Sequence, residues 1–323
     1  MSSPIRIACI GCGAMANAVH YPSLISFPDA EVAAVCDLNE ERMAQTCERH
    51  SLNHARRFID YQRMVDEVEP EAVWCIGQPN IMFPLWVWLL ERRCPLYIEK
   101  PMGITVHQAR ALAHLADKNG CVTQVSFQRR SSPILREMTI RCRERGPVTH
   151  AVCEFYKCSP APYLDARDHM MDDGVHAIDT LRWLCRGEIV RIQSAARRIG
   201  TPDINFFSAM IEFDNGSVGM LANSWTSGRR TFRVQIHAPS ICAELELETG
   251  GNLYADGRLE GESFDAATIA GDSRPWILGG FRAKIREFLD ALRGGPEPSS
   301  CFADAVKTMA AADLILAQEL LAG

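Results

Sequence analysis

Ile5-Arg-Ile-Ala-Cys-Ile-Gly11-Cys-Gly13-Ala-Met-Ala16 opens the chain. Its first six residues are apolar except for Arg6, the pattern of a strand buried on both faces. They run directly into Gly-x-Gly-x-x-Ala, and the residues that follow read as a helix. Gly11 permits a tight turn, Gly13 lets the backbone approach a pyrophosphate, and Ala16 allows close helix packing. At Ala14 and Met15 the helix N-terminus presents unpaired N–H groups toward the phosphate. A glycine pattern alone is weak, but here the strand and helix flank it and Asp37 ends a second strand 21 residues after Ala16. A carboxylate there accepts the adenosine-ribose hydroxyls. Asp37 would repel a 2′-phosphate, and Leu38 and Asn39 supply no positive charge, so NAD is expected as cofactor. Arg42, one helical turn further on, keeps NADP possible.

Outward from this turn, strands and helices alternate. Strands are expected at 5–10, 31–36, 72–76, 96–98 and 122–126, and helices at 14–26, 39–50, 61–68, 81–92 and 105–119. Continuous apolar strands separated by helices imply a doubly wound parallel sheet covered on both faces. After Phe127 the pattern changes to alternating runs at 148–156, 190–198, 205–213, 217–224, 232–237 and 243–248. Asp214-Asn-Gly216 marks a hairpin between two of them. This is the pattern of a mainly antiparallel sheet with one face covered and one open, following a helix at 134–144. A helix from Asp172 to Cys185 should cover one face, and the chain ends in helices near 281–292 and 303–321. The fold class is therefore α/β followed by α+β, with domains expected at 1–122 and 123–323.

The 323 residues are 47% hydrophobic and 23% charged, with a net charge of -6. No long basic run is present, which argues against nucleic acid as a partner. The most apolar stretch, 81–90, is too short to span a bilayer, and no secretory pattern is visible at the start. A cytoplasmic protein is expected. The thirteen cysteines are scattered through apolar segments and read as reduced, buried thiols. Cys9 and Cys12 form a C-x-x-C that no second pair or histidine cluster completes, so no metal site is expected.

Two further stretches carry chemistry. Lys100 closes Pro95-Leu-Tyr-Ile-Glu-Lys-Pro101, immediately after a strand of the parallel sheet. Ligands bind beyond the carboxyl ends of such strands, so Lys100 could stabilise a developing alkoxide; a surface lysine paired with Glu99 is the alternative. Asp172 and His176 stand four apart, which on an α-helix puts them on one face. A carboxylate can orient an imidazole that abstracts a proton, and a helix-start aspartate beside a buried histidine is the alternative. Asp173 could equally be the helix cap.

These features, with others along the chain, resemble the glucose–fructose oxidoreductase / inositol dehydrogenase / MocA (Gfo/Idh/MocA) family of NAD(P)-dependent sugar dehydrogenases. The glycine turn with His20-Tyr-Pro-Ser-Leu24 is similar to the family's first turn and helix. Pro79-Asn80 looks like its nicotinamide-side loop, and Glu99-Lys100-Pro101 is its most recognisable tripeptide. Gln128-Arg-Arg130 with Pro133 resembles the entry to its second domain. Asp172-x-Gly-x-His176-Ala-Ile-Asp179 resembles its catalytic helix, and Phe302 to Ala312 its last helix. The resemblance implies a Rossmann domain, an open-faced sheet domain, and a last helix, about 303–321, packed back on the Rossmann domain. It also implies a catalytic trio of Lys100, Asp172 and His176, and homodimers or homotetramers formed through the open sheet.

Three positions depart from the family. Ala166-Arg-Asp168 replaces a glycine triplet, Asp173 stands where an apolar residue is common, and Phe83 where a histidine often stands. Arg129, Tyr163 and Arg167 are candidate substrate contacts, as are Lys157 and Arg229, with a surface or packing role as the alternative for each. The implied activity is hydride transfer between a secondary alcohol of a sugar, inositol or related polyol and the nicotinamide. NAD-dependent glycoside cleavage through transient oxidation and elimination, and a non-enzymatic NAD- and sugar-binding regulator, are the alternatives on the same fold.

Overall fold

The computed structural model describes residues 3–159, 161–163 and 168–321. By compactness the chain divides into two units, and it enters each of them twice. The first holds the residues up to Phe127 together with Phe281–Val306; the second holds Gln128–Gly280 and the residues from Lys307 onward.

The first unit contains six parallel strands: β1 (Ile5–Ile10), β2 (Ala30–Cys36), β3 (Arg56–Phe58), β4 (Ala72–Cys75), β5 (Leu96–Ile98) and β6 (Thr123–Val125). Their order is β3-β2-β1-β4-β5-β6, so the topology reverses between β1 and β4. Every residue of β4, β5 and β6 is buried, as expected of strands covered on both faces. β3 has the sequence Arg-Arg-Phe and no apolar periodicity; its pairing to β2 makes it a strand. Phe281–Leu292, far along the chain, also covers this sheet. Its Phe288 meets the stacked Trp74 and Tyr97 rings edge-on. Its Lys284 is fully buried and pairs with Glu287 Oε2 at 2.8 Å, while the Lys284 carbonyl accepts from Gln124 Nε2.

The second unit is built on eight strands: β7 (His150–Cys158), β8 (Ile189–Arg197), β9 (Phe206–Phe213), β10 (Val218–Ser224), β11 (Thr226–Ala238), β12 (Ile241–Glu246), β13 (Gly250–Ala255) and β14 (Glu262–Asp265). Their order is β14-β13-β12-β11-β7-β10-β9-β8. All pairs are antiparallel except β7 with β10. The mainly antiparallel sheet expected from the alternation is present, with β13 and β14 added at an edge where no periodicity announces them. Gly216 closes the β9–β10 hairpin at φ +81°, the left-handed conformation its Asn-Gly turn requires. Along β7 buried Ala151, Cys153 and Phe155 alternate with more exposed neighbours. The helix Val175–Cys185 packs on this buried face, and the opposite face is open.

Candidate functional site

In the first unit the candidate residues follow the carboxyl ends of the parallel strands. Gly11 follows β1, Asp37 follows β2, Pro79 and Asn80 open the helix after β4, and Glu99 and Lys100 follow β5. Gly11 has φ +106°, and a Cβ there would lie 2.0 Å from the Ile76 carbonyl oxygen. At Gly13 a Cβ would meet nothing within 4 Å. The protein therefore needs glycine at position 11 for its own packing, whereas position 13 borders open space. Asp37 Oδ2 accepts the Cys12 N–H at 2.8 Å and Oδ1 accepts the Asn39 N–H at 2.8 Å. The carboxylate thereby ties the end of β2 to the glycine turn. A cavity of about 440 Å³ opens beside them, lined by Cys12, Gly13, Ala14, Asn17, Arg42, Gln45, Thr46 and Arg49.

These residues fit a dinucleotide. The turn leaves room at Gly13 for close backbone approach, Ala14 and Met15 begin the helix, and the Asp37 carboxylate lies against the turn through the Cys12 N–H. Arg42 and Arg49 give the cavity positive charge. After Ala14 and Met15 the helix passes into a π-helical stretch, Ala16–His20, which buries His20. His20 Nε2 lies 2.6 Å from Glu99 Oε1, and Glu99 Oε2 accepts the Lys100 N–H at 3.1 Å. Burial pushes the Glu99 carboxyl up, but the His20 hydrogen bond and the His20 and Lys100 charges outweigh it and leave the group below its ordinary range. A charged Glu99 therefore fixes the backbone from which Lys100 projects.

In the second unit Asp172 lies in another π-helical turn, Met170–Gly174, and His176 in the first turn of the α-helix that follows. The continuous α-helix expected from Asp172 onward thus starts differently, and the four-residue spacing spans a change of helical geometry. Neither Asp172 nor Asp173 provides the cap; Asp168 does, accepting the Met171 N–H at 2.8 Å. Asp173 is buried, ion-paired to Lys157, and accepts the Trp225 indole N–H at 3.3 Å. Asp172 accepts the Tyr163 hydroxyl at 3.1 Å. Tyr163 thus meets the Asp172 carboxylate, and Lys157 and Trp225 meet that of Asp173.

The other candidate contacts are placed as follows. Arg129 is buried, directs both terminal nitrogens to Glu248 Oε1 at 3.1 Å, and lies over the Phe232 ring. Arg229 is exposed and paired with Glu246. Arg167 lies outside the described residues. Sequence reasoning missed His169, Asp203 and Trp225, which pack around Tyr163 and Asp173. None of the three sits in a motif, so no local signal marks them. Among the described residues no group of His, Cys, Asp and Glu is arranged to hold a metal ion, and all thirteen cysteines are free thiols. No helix among them is long and apolar enough to cross a membrane.

A family model described as "GFO_IDH_MocA: Oxidoreductase family, NAD-binding Rossmann fold" matches residues 5–127. A second, the "GFO/IDH/MocA C-terminal domain", matches residues 138–239. The D-glucoside 3-dehydrogenase of Escherichia coli strain K12 is 26% identical over 84% of this chain and 85% of its own. The scyllo-inositol 2-dehydrogenase (NAD(+)) of Bacillus subtilis strain 168 is 22% identical over 92% of this chain and 89% of its own. The crystal structure of a dehydrogenase from Chromobacterium violaceum superimposes with a TM-score of 0.90, at 19% identity, over 99% of this chain and 97% of its own.

Proposed function

This chain belongs to the Gfo/Idh/MocA family of NAD-binding oxidoreductases, and from that premise we propose that it oxidises a secondary alcohol of a sugar, inositol or related polyol. The sugar and inositol dehydrogenases among its relatives support this substrate class. The observation that carries the reading is the carboxyl edge of the parallel sheet, where the open Gly13 turn follows β1, the Asp37 carboxylate follows β2 and Lys100 follows β5.

Bound NAD would supply the hydride acceptor. Gly11, Gly13, Ala14 and Met15 would hold its pyrophosphate, Asp37 with Arg42 its adenosine ribose, and Pro79, Asn80 and Glu99 its nicotinamide side. His176 takes the hydroxyl proton with Asp172 as its orienting carboxylate, and Lys100 stabilises the alkoxide that forms. The commitment of Asp173 to Lys157 supports giving the orienting role to Asp172. Tyr163, Arg167 and Arg129 are the proposed substrate contacts.

The open sheet face supports assembly with a second copy, as a homodimer or homotetramer. Met210 and Met220 are register partners on that face and both are exposed. Thirteen cysteines without a disulfide favour a reducing compartment, the cytoplasm.

The test is NADH formation with a panel of sugars, inositols, amino sugars and nucleotide sugars, in wild type and in Lys100→Met and His176→Ala. Each variant should lose at least about a hundredfold in turnover while still binding NAD. Near-normal turnover in either would overturn the role assigned to it, and turnover without net NADH would replace dehydrogenation by glycoside cleavage.

A further inference from the structure

An aromatic cluster adjoins Asp172 that the proton-transfer roles leave unused. The Tyr163 hydroxyl donates to Asp172 Oδ2 at 3.1 Å. The Tyr163 backbone N–H donates to Asp203 Oδ2, also at 3.1 Å. That same oxygen lies 2.9 Å from His169 Nε2. The phenol and the imidazole stack with centroids 4.2 Å apart and planes inclined by 26°. His169 also lies 4.6 Å from the Trp225 ring, whose N–H holds Asp173.

The protonation states follow from the surroundings. Burial lowers the His169 pKa below its ordinary value, although the Asp203, Asp173, Asp168 and Asp172 charges oppose it. Burial pushes the Asp203 carboxyl up, but hydrogen bonds from the Tyr163 N–H and Thr201 leave it below its ordinary range. Near neutral pH the ring is therefore neutral and Asp203 ionised, so Nε2–H donates and the carboxylate accepts. Asp203 itself stands on a braced segment between β8 and β9. The amide of buried Asn205 donates to the Ile199 carbonyl at 2.9 Å and accepts the Ile199 N–H at 2.8 Å.

Tyr163 is thus gripped at both ends. Its backbone and ring are held by Asp203 and His169, and its hydroxyl proton is directed at Asp172. A hydrogen bond to an ionised carboxylate is among the stronger ones a neutral hydroxyl makes, and a carboxylate so held has fewer orientations. We propose that Tyr163 is a positioning residue that fixes the Asp172 carboxylate, and that the Asp203–His169 pair holds Tyr163 in place. This rests on the reading that Asp172 and His176 carry the proton chemistry. The segment between β8 and β9 thereby takes part in ordering the start of the catalytic helix.

Tyr163→Phe keeps the stacked ring and removes the hydroxyl. With NAD and either myo-inositol or D-glucose as probe alcohol, kcat should fall roughly tenfold to a hundredfold with KM little changed. Asp203→Ala should produce the same fall. Asp203→Asn, which keeps an acceptor for both donors, should retain most of the turnover. In the Tyr163→Phe background Asp203→Ala should add little, because both act through one contact. Without any alcohol present, Asp203→Ala should speed amide hydrogen exchange across residues 168–174, and Asp203→Asn should not. Wild-type kcat in Tyr163→Phe, a rise in KM alone, independent effects of the two substitutions, or unchanged exchange in Asp203→Ala would each overturn the proposal. His176→Ala separates the two readings. If it keeps its turnover, the proton-transfer roles fail; if it is inactive while Tyr163→Phe matches wild type, only the clamp fails.

Discussion

Arg130 Nε donates to Asp179 Oδ2 at 2.6 Å, and both side chains are buried. A second nitrogen of the guanidinium reaches Oδ1, so the pair is bidentate. Thr308 donates to Oδ1 at 3.1 Å, and Arg182 donates to Thr308 at 2.7 Å. Two sequence motifs 49 residues apart thus meet in one buried ion pair: Gln128-Arg-Arg130 and the Asp172-to-Asp179 helix. Asp179 holds that helix from its inner side, one turn beyond His176.

Breaking this pair strands a buried charge. Asp179→Ala should therefore lose about 3–5 kcal/mol, seen as a lower urea midpoint at an unchanged slope. Replacing both residues, Arg130→Met with Asp179→Leu, should lose less, because no charge is then left unpaired. Equal losses in the single and double variants would show that the pair acts through shape and not through charge.

What the sequence reveals and what it hides follow from this kind of pairing. Periodicity located the strands of both sheets wherever a face or both faces are buried, as in β1, β4 and β9. It missed β3, β13 and β14, whose residues are polar or glycine-rich and become strands through pairing. The two π-helical turns carry no compositional mark, and one of them changes the geometry between Asp172 and His176. Nothing in Phe281–Leu292 says which sheet it will cover, since an amphipathic helix specifies a face but not a partner. The candidate residues themselves lie in short motifs and were legible. Their supports were not: Asp203, His169 and Trp225 reach Tyr163 and Asp173 only through the fold.

The two glycines of the first turn should fail for different reasons. Gly11→Ala would put a Cβ 2.0 Å from the Ile76 carbonyl oxygen at φ +106°, so the protein alone should melt earlier. Gly13→Ala meets no protein atom within 4 Å, so its Tm without cofactor should match wild type. NAD binding, measured by calorimetry, should weaken sharply in Gly13→Ala, because the methyl occupies the space needed for backbone approach to the pyrophosphate. A Gly13→Ala variant that binds NAD as wild type does would remove the turn from the cofactor site.

Glu99 should make stability depend on pH in a defined direction. Its carboxyl titrates below the ordinary 4.5 despite its burial, because His20 and Lys100 favour the charged form. A depressed folded-state pKa contributes stability that is present above the unfolded-state value and is lost as pH falls through the folded-state value. The stability difference between wild type and Glu99→Gln should therefore shrink as pH falls below about 4.5. Urea midpoints across that range test this, and a difference independent of pH would show that charge on Glu99 contributes nothing.

Asp172 and Asp173 are adjacent, yet substitution should separate them completely. Asp173 is buried, paired with Lys157 and hydrogen-bonded by Trp225, and Lys157 also lies 5.1 Å from the Phe155 ring centroid. Asp173→Asn removes the countercharge from a half-buried lysine, so it should lower stability by about 1–3 kcal/mol while turnover per folded molecule changes little. Asp173→Leu with Lys157→Met should recover part of that loss, since an apolar pair leaves no charge to solvate. Asp172→Asn should behave in the opposite way. It keeps an oxygen to accept the Tyr163 hydroxyl, so the fold should hold, but an amide cannot support a protonated His176. Turnover should then drop at least about a hundredfold with NAD affinity retained. Thermal melting and steady-state kinetics on the same preparations decide between these roles, and a loss of turnover confined to Asp173→Asn would transfer the catalytic assignment from Asp172 to its neighbour.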